Sequence, residues 1–333
     1  MEMITLFGTQ PYDEHFFKKI NEERKFGYTF KFFKENLTQH TASLADGTQV
    51  ACVFVNDIVS ANIVDTLHKH GVRLLALRCA GFNNVDLEAT KGKIKVVRVP
   101  AYSPYAVAEY TLGLMLALNR KIHRAVNRTH EGNFSLNGLL GFDMHQKTIG
   151  IVGTGKIAKV LINLLGGFGV NILAYDVFPD KAFAQEHHVQ YTTLDHLLSE
   201  SDIISLHCPL TPETHHIINA KTLQKTKQGV MLINTGRGQL IDTRALINSL
   251  KKHHVGSIAL DVYENEGKYF YQDHSNQCIE DDLLARLLSF NNVIVTSHQA
   301  FFTQEALVNI ATTTLENIQA FLTHQPLVNE VKL

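Results

Sequence analysis

The chain has 333 residues, of which 45% are hydrophobic and 19% charged, a composition typical of globular rather than disordered proteins. The length suits two domains of ordinary size. The 31 basic and 32 acidic side chains leave a formal net charge of -1 at pH 7, so no overall field attracts nucleic acid or an anionic membrane. We therefore expect a small-molecule partner, and neither a nucleic-acid nor a membrane partner.

The cysteine content and the amino terminus indicate a reducing, cytoplasmic environment. The four cysteines are far apart without any C-x-x-C spacing, which argues against a disulfide framework and against a zinc site. The first ten residues have the pattern of a strand and lack the charged and apolar regions of a signal peptide. No apolar run approaches the roughly 18 residues of a membrane helix. The adjacent histidine pairs lack metal-ligand spacing, so we predict no metal site.

Short apolar strands alternate with helical patterns along the first hundred residues, which predicts a parallel α/β sheet. These strands are residues 4–7, 51–55, Leu74–Leu77 and 94–97. The dipeptide Ser103-Pro104 is typical of a helix start and predicts a long helix over residues 105–124. The small apolar face of this helix, which includes Leu114 and Leu118, can pack within its own domain or at the interface of a homo-oligomer. We expect a homo-oligomer, either a dimer or a tetramer.

A second alternating series supplies the strands of a second parallel sheet. These strands are Thr148–Val152, 172–175, Ile203–Leu206, Val230–Asn234, 257–260 and 293–296. A last helix, Gln304–Leu322, has apolar residues at helical spacing and begins after that sheet is complete, so we expect it to return to the first domain. The predicted organisation is a substrate domain of residues 1–102 and 299–333, with a dinucleotide-binding domain of residues 103–298 inserted into it.

The turn after the strand Thr148–Val152 has the spacing of a dinucleotide fingerprint, G-T-G-K-I-A. Gly153 permits a tight turn, and Gly155 lets the backbone approach a pyrophosphate that a Cβ would exclude. Ala158 is the third small residue, where helix and strand pack closely. A glycine turn in an ordinary βαβ unit is the alternative, but the flanking strands and a following acid favour a nucleotide site.

The fingerprint also specifies which dinucleotide is expected. The free N–H groups around Lys156 and Ile157 would face the phosphates at the positive end of a helix dipole. Asp176 ends the next strand about twenty residues beyond the turn, where a carboxylate accepts the ribose hydroxyls of an adenosine. The same carboxylate would repel a 2′-phosphate, so we predict NAD rather than NADP.

Three candidate catalytic residues each follow a predicted strand of the second series, at the edge where open α/β sheets place ligands. Arg237 lies between two glycines in N-T-G-R-G, and its guanidinium can bind a carboxylate through two hydrogen bonds. Glu266 follows A-L-D-V-Y-E-N, and His298 follows V-I-V-T-S. A histidine beside a carboxylate is a suitable proton donor near neutral pH. The alternatives are a surface arginine in a turn and a structural histidine.

Several motifs together resemble one enzyme family along nearly the whole chain. They are the fingerprint, H-C-P-L-T-P-E-T (207–214), N-T-G-R-G (234–238), D-V-Y-E-N-E (261–266) and S-H-Q-A-F (297–301). The sequence resembles the D-isomer-specific 2-hydroxyacid dehydrogenases. Within that family it is most similar to the fermentative D-lactate dehydrogenases, through the segments 78–86, 99–104 and the aromatic loop 269–276.

This resemblance implies a fold, a reaction and roles for the candidate residues. The implied fold is two doubly wound parallel-sheet α/β domains, with a Rossmann-type NAD domain inserted into a flavodoxin-like substrate domain. The implied reaction is the reversible, NADH-dependent reduction of pyruvate to D-lactate. Arg237 would hold the substrate carboxylate, His298 would protonate the carbonyl oxygen, and Glu266 would keep His298 charged.

The resemblance also extends to residues around the substrate and the cofactor. Backbone N–H groups near Ala80 and Gly81 would help to bind the carboxylate, and Tyr102 and Phe301 would form walls of the substrate pocket. Further cofactor contacts are implied for Cys208, Pro209, Thr235 and Asp261, although ordinary sheet packing explains these four nearly as well. Tyr105 and Ala158 depart from the usual family pattern, which puts only the pocket rim and the turn in doubt.

Other functions remain open on the sequence alone. Pocket volume decides between pyruvate and a larger 2-oxo acid, and sequence does not give that volume. A non-catalytic NAD-sensing protein can share the same fold and the same three residues. Formate oxidation on this scaffold would replace Glu266 with an amide-bearing residue, so the glutamate argues against it.

Overall fold

The computed structural model describes residues 2–332, which form two compact α/β units. One unit combines the residues up to Ser103 with those from Phe302 onward, and we call it the discontinuous unit. The other, Pro104–Phe301, is the continuous unit. Among residues 2–332, no helix combines the length and the apolar character needed to cross a lipid bilayer.

The discontinuous unit contains a parallel sheet of five strands. They are β1 (Met3–Leu6), β2 (Thr29–Phe32), β3 (Val50–Val53), β4 (Leu74–Leu77) and β5 (Lys95–Arg98). Their order across the sheet is β2-β1-β3-β4-β5. The chain moves from β1 to β2 and then returns to place β3 on the other side of β1. This is the flavodoxin-like order, and its switch point lies between β1 and β3.

Helices cover both faces of this five-stranded sheet. The first three are α1 (Pro11–Glu23), α2 (Ala61–Lys69) and α3 (Leu87–Thr90). Two apolar clusters fill the space between sheet and helices, one on each face. All four residues of β4 are therefore buried, which explains why this strand reads as an uninterrupted apolar run.

The continuous unit begins with two helices and then builds a parallel sheet of seven strands. Its elements are α4 (Pro104–Arg120), α5 (Ile122–His130), β6 (Thr148–Val152), α6 (Lys156–Leu165), β7 (Asn171–Tyr175), α7 (Lys181–Glu186), β8 (Val189–Tyr191), α8 (Leu194–Glu200), β9 (Ile203–Leu206), α9 (Ala220–Leu223), β10 (Val230–Asn234), α10 (Thr243–Lys251), β11 (Val255–Leu260), α11 (Asp282–Leu288) and β12 (Val293–Val295). The strand order is β12-β11-β10-β9-β6-β7-β8. The switch point lies between β6 and β9, so the fingerprint turn after β6 is at the place where such sheets bind ligands.

The last helix, α12 (Gln304–Leu322), belongs to the discontinuous unit. Its buried residues Ala311, Leu315 and Ile318 pack in one cluster with Ile4 and Val97 of the five-stranded sheet. Together the two parallel sheets confirm the predicted fold class of two doubly wound α/β domains.

The predicted strands are present, with ends that differ by at most two residues, but two further strands were not predicted. These are β2 and β8, and each lies at an edge of its sheet. Edge strands are covered less completely than central ones, and no residue of β2 is fully buried. Such strands lack the continuous apolar run by which the central strands were recognised.

The long helix predicted over residues 105–124 is wrong at its carboxyl end. Helix α4 ends at Arg120, Lys121 adopts a left-handed conformation with φ of 50°, and α5 begins at Ile122. The reason is a tertiary contact, because the side chain of Asn119 accepts from the N–H of Phe142 and donates to its carbonyl oxygen. The side chain of Lys121 donates to the carbonyl of Leu140. Helical periodicity carries no information about these contacts with residues 140–142.

The small apolar face of α4 packs within its own unit. Leu114 and Leu118 are buried in one cluster with Ala158, Leu161 and Ile162 of α6. For these two residues the structure has the first of the two arrangements that the sequence left open, and the oligomer stays a prediction.

Candidate active site

The turn that follows β6 matches the requirements of a dinucleotide site. Gly153 has a φ of +89°, and a Cβ at this position would lie 2.5 Å from the backbone nitrogen of Cys208, so only glycine fits. Gly155, which precedes the first turn of α6, has no atom within 4 Å of its ideal Cβ position. Ala158 is completely buried against the sheet. The amino-terminal end of α6 with Lys156 and Ile157 therefore faces open space, as binding of a pyrophosphate requires.

Asp176 lies directly after β7 and is held by three hydrogen bonds. Its Oδ2 accepts from the backbone N–H of Thr154 at 2.6 Å and from the Thr154 hydroxyl at 2.9 Å. Its Oδ1 accepts from the backbone N–H of Phe178 at 2.8 Å. Partial burial raises the pKa of Asp176, but these hydrogen bonds outweigh it and leave the pKa below its usual value. The side chain is therefore an ionised acceptor, as contact with two ribose hydroxyls requires.

His298 and Glu266 form a close pair within the continuous unit. Nδ1 of His298 lies 2.7 Å from Oε1 of Glu266, and the two side chains are only 15% and 20% exposed. Because a carboxylate can only accept, Nδ1 carries the hydrogen of this bond. The other carboxylate oxygen, Oε2, accepts the backbone N–H of Tyr263 at 3.0 Å. Nε2 is thus the ring nitrogen that remains for a substrate oxygen.

The loop that carries His298 is fixed by Asp261, a completely buried residue just after β11. Oδ1 accepts from the Thr296 hydroxyl at 2.6 Å and from the backbone N–H of Gln299 at 2.9 Å, and Oδ2 accepts from the backbone N–H of Ala300 at 2.9 Å. The N–H of His298 donates to the carbonyl of Asp261 at 2.7 Å. These hydrogen bonds show that Asp261 anchors the loop that carries His298. Contact between Asp261 and the cofactor stays a prediction.

His298 has a φ of 53°, a left-handed conformation that is unusual for a residue other than glycine. Its carbonyl oxygen accepts a hydrogen bond from the hydroxyl of Tyr271 at 2.8 Å. The backbone N–H groups of Tyr269 and Phe270 both donate to the carbonyl of Glu266 at 2.9 Å. The segment that supplies Glu266 thus also holds the backbone of His298 through Tyr271.

The Arg237 loop is organised by Asn234, whose side chain is completely buried at the end of β10. Its Nδ2 donates to the carbonyl of Arg237 at 2.9 Å, and its Oδ1 accepts from the N–H of Gly236 at 3.0 Å. A Cβ on Gly238 would lie 2.1 Å from the backbone carbon of Tyr263, so this glycine brings the Arg237 loop against the segment that leads to Glu266. Nη1 of Arg237 donates to the carbonyl of Gly236 at 2.8 Å. Within the part of the chain that is described, no carboxylate forms a salt bridge with Arg237.

The remaining cofactor candidates lie near the ends of β9 and β10. Thr235 is buried, and its hydroxyl lies 2.8 Å from that of Thr111 in α4. Burial raises the pKa of the Cys208 thiol to about 11, so it stays protonated at neutral pH. Pro209 is exposed. The backbone of Cys208 contacts the fingerprint turn at Gly153, whereas Thr235 has an evident packing role.

The candidate substrate residues are divided between the two units. Ala80, Gly81 and Tyr102 belong to the discontinuous unit, and Phe301 is buried in the continuous unit. The carbonyl of Ala80 accepts from the side chain of Arg98 at 2.8 Å, and that of Gly81 accepts from the Cys79 thiol at 3.3 Å. The carbonyl of Tyr102 accepts from the side chain of Asn309 at 2.6 Å. Substrate contact by all four residues stays a prediction.

A model of the NAD-binding domain of the D-isomer specific 2-hydroxyacid dehydrogenases matches residues 112–300. The D-lactate dehydrogenase of Escherichia coli is 51% identical over 316 residues, which cover 95% of each chain. The chain belongs to the D-isomer-specific 2-hydroxyacid dehydrogenase family. The solved apo structure of an E. coli D-lactate dehydrogenase superimposes with a TM-score of 0.90 at 47% identity, covering 99% of this chain and 100% of that one. The solved structure described as the pyruvate reductase of Chlamydomonas reinhardtii gives a TM-score of 0.92 at 43% identity, covering 99% and 98%.

Membership of this family assigns the cofactor and the reaction class. The continuous unit is an NAD-binding domain, and the enzyme is an NAD-dependent 2-hydroxyacid dehydrogenase. The open amino-terminal end of α6 and the ionised Asp176 fit NAD, since they offer donors to a pyrophosphate and an acceptor to ribose hydroxyls. Residues 2–332 contain no group of three or more histidine, cysteine, aspartate or glutamate side chains placed to hold a metal ion.

Sequence reasoning missed four residues that organise this site. Asn234 is the first residue of the N-T-G-R-G motif, and Thr296 directly precedes S-H-Q-A-F, so position at the end of a strand was the available signal for both. Thr154 lies inside the fingerprint at the variable second position. Tyr271 belongs to the aromatic loop, but nothing in a sequence indicates that its hydroxyl reaches the His298 carbonyl.

Proposed function

We propose that this enzyme reduces pyruvate to D-lactate with NADH, in a reversible reaction. The observation that carries the proposal is the pairing of His298 with Glu266 at 2.7 Å in an NAD-binding domain. A carboxylate in this position favours the charged imidazolium, which can give its Nε2 proton to a substrate oxygen. Support for pyruvate comes from the E. coli and Chlamydomonas relatives, which are described as a D-lactate dehydrogenase and a pyruvate reductase.

The proposed chemistry adds one hydride and one proton to the substrate carbonyl. Bound NADH supplies the hydride to C2. Nε2 of His298 donates the proton to the carbonyl oxygen, so that C=O becomes CH–OH. Glu266 stabilises the imidazolium before this transfer, and Arg237 binds the substrate carboxylate through two parallel N–H donors.

The remaining substrate contacts follow from the same proposal. Ala80 and Gly81 donate backbone N–H groups to the substrate carboxylate, while their carbonyls are held by Arg98 and Cys79. Tyr102 and Phe301 form apolar walls that suit a methyl group. Asp261, Cys208, Pro209 and Thr235 line the cofactor side.

The test is NADH oxidation, followed at 340 nm, with pyruvate and a series of larger 2-oxo acids. We expect the highest kcat/KM with pyruvate, and a product that is oxidised by a D-specific but not by an L-specific lactate dehydrogenase. A higher kcat/KM with a branched or aromatic 2-oxo acid would show that this acid, and not pyruvate, is the preferred substrate. NADH binding without oxidation of any 2-oxo acid would indicate an NAD-sensing binding protein instead.

We further propose that the enzyme is a homo-oligomer whose interface includes α5 and the segment after it. Ile122 and Val126 of α5 are 51% and 48% exposed, and Phe134, Leu136 and Leu140 are 77%, 81% and 87% exposed. Five large apolar side chains exposed along one short stretch are typical of an interface. Light scattering after size-exclusion chromatography is expected to give a dimer or tetramer, and Leu136→Glu is expected to lower the mass. A wild-type mass of one chain, about 37 kDa, would contradict this.

A cytoplasmic location is proposed as well. All four cysteines are free, with Cys52 and Cys79 buried, as is typical of proteins in a reducing compartment. Cell fractionation is expected to recover the enzyme with cytoplasmic markers, and recovery with secreted proteins would contradict the proposal.

A further inference from the structure

A directed chain of hydrogen bonds leads from the edge of the seven-stranded sheet to Asp176. The backbone N–H of Asp180 donates to the hydroxyl of Tyr191 at 3.2 Å, and that hydroxyl donates to Oγ1 of Thr154 at 2.9 Å. The Thr154 hydroxyl donates in turn to Oδ2 of Asp176 at 2.9 Å. We call these residues the Asp176 relay.

The direction of every bond in the relay follows from chemistry. An ionised carboxylate can only accept, so the single hydroxyl hydrogen of Thr154 points to Asp176. Oγ1 of Thr154 must then accept, and the hydroxyl hydrogen of Tyr191 is the donor. The oxygen of Tyr191 keeps a lone pair for the N–H of Asp180. Bonds that point the same way polarise one another, which strengthens the last bond to the carboxylate.

The relay spans three adjacent strands at the carboxyl edge of the sheet. Thr154 follows β6, Asp176 follows β7, and Tyr191 ends β8, in the spatial order β6-β7-β8. Thr154 is only 5% exposed, so its hydroxyl has little access to water as an alternative partner. On the other side of the carboxylate, the N–H of Phe178 fixes Oδ1 at 2.8 Å. The carboxylate is therefore held at both oxygens and cannot rotate freely.

We infer that Thr154 and Tyr191 are positioning residues that hold Asp176 in the orientation that selects NADH over NADPH. A fixed carboxylate offers its remaining acceptor capacity to the adenosine ribose in one defined orientation and keeps its negative charge where a 2′-phosphate would lie. A carboxylate released from the relay can turn aside, which weakens the bonds to the ribose and also the repulsion of the phosphate. The inference concerns cofactor binding and is independent of which 2-oxo acid is reduced.

The test measures cofactor binding directly, by the fluorescence change of NADH and NADPH titrated with the enzyme in the absence of any 2-oxo acid. Thr154→Val removes the hydroxyl but keeps the branched shape and the backbone N–H. The lost bond to a charged acceptor predicts a Kd for NADH that rises about 10-fold. The Kd for NADPH is expected to change less than about twofold, so the preference for NADH falls. Tyr191→Phe is expected to shift the same ratio by a smaller factor, about threefold.

Two further variants separate positioning from general damage to the turn. Thr154→Ser restores the hydroxyl and is expected to bring the NADH Kd back to within about threefold of the wild-type value. Tyr28→Phe removes a tyrosine hydroxyl from the discontinuous unit and serves as the matched control, with unchanged binding. NADH and NADPH affinities that fall by the same factor in Thr154→Val would overturn the inference, as would wild-type binding in both Thr154→Val and Tyr191→Phe.

The pH profile of NADH affinity gives a second readout, on its acid limb. The hydrogen bonds to Asp176 lower its pKa, so the wild-type carboxylate stays ionised as the pH falls. Removing the Thr154 hydroxyl raises that pKa, and the pH below which NADH affinity declines is expected to move upward. An unmoved limb in a folded Thr154→Val protein would contradict the relay, whatever its activity toward pyruvate.

Discussion

Replacing Glu266 by glutamine removes one negative charge and one acceptor while keeping the length of the side chain. In the wild-type protein the two carboxylate oxygens serve two separate donors. Nδ1 of His298 lies 2.7 Å from Oε1, and the backbone N–H of Tyr263 lies 3.0 Å from Oε2. Glutamine has one acceptor oxygen and one NH₂ donor. In Glu266→Gln one of the two donors therefore loses its acceptor.

The size of the effect follows from the cost of that lost partner. Leaving a buried donor unsatisfied costs about 1 to 3 kcal/mol, and 1.4 kcal/mol corresponds to about tenfold in an equilibrium constant. If Tyr263 retains the amide oxygen, the NH₂ group faces Nδ1 of His298 and favours the neutral imidazole. We therefore expect kcat/KM for pyruvate to fall about 10- to 100-fold.

The assay is NADH oxidation with pyruvate at pH 7, alongside NADH titration by fluorescence, which is expected to be unchanged. Glu264→Gln is the matched control. Glu264 lies two residues before Glu266 in the sequence and forms a similar pair with Nε2 of His216, at 2.6 Å. We expect Glu264→Gln to keep kcat/KM within about threefold of the wild-type value. A loss of less than threefold in Glu266→Gln would refute the reasoning about His298.

Three other predictions concern single residues. His298→Ala is expected to lower kcat by about 10² to 10⁴ with NADH affinity unchanged, since it removes the general acid, and a loss below threefold would contradict that role. Arg237→Lys is expected to raise KM for pyruvate about tenfold or more, because an ammonium cannot replace the planar two-bond contact, and an unchanged KM would contradict the contact. Burial lowers the pKa of His207 to about 4 from its ordinary 6.5. The unfolded chain therefore takes up this proton first, and stability is lost as the pH falls from 6.5 toward 4. In urea unfolding, the free energy of unfolding of His207→Gln is expected to fall by up to about 3 kcal/mol less than that of the wild type over this pH range. An equal fall in the two proteins would contradict the assignment to His207.

The central strands of both sheets, all of which sequence predicted, share one physical property. Central strands of parallel sheets are covered on both faces, so every residue of β4, β9 and β10 is buried and most of these residues are apolar. The carboxyl ends of such strands meet at one edge, which is why the residues that follow β10, β11 and β12 were expected near one another. The distance between His298 and Glu266 agrees with that expectation, although their catalytic roles stay proposals.

The parts that sequence did not predict depend on contacts between distant segments. The break at Lys121 follows from the bonds of Asn119 to Phe142, which helical periodicity cannot report. The anchoring of the His298 loop requires a buried Asp261, and its carboxylate meets backbone N–H groups of Gln299 and Ala300 that have no sequence signature.

The most direct test of the proposed chemistry is a crystal structure of the enzyme with NADH and oxamate, which has the shape of pyruvate but is not reduced. We predict that the oxamate carboxylate accepts two hydrogen bonds from Arg237 at about 3 Å, and that its amide oxygen lies within about 3.2 Å of Nε2 of His298. An imidazole of His298 that points away from bound oxamate, or a carboxylate held without Arg237, would contradict the account.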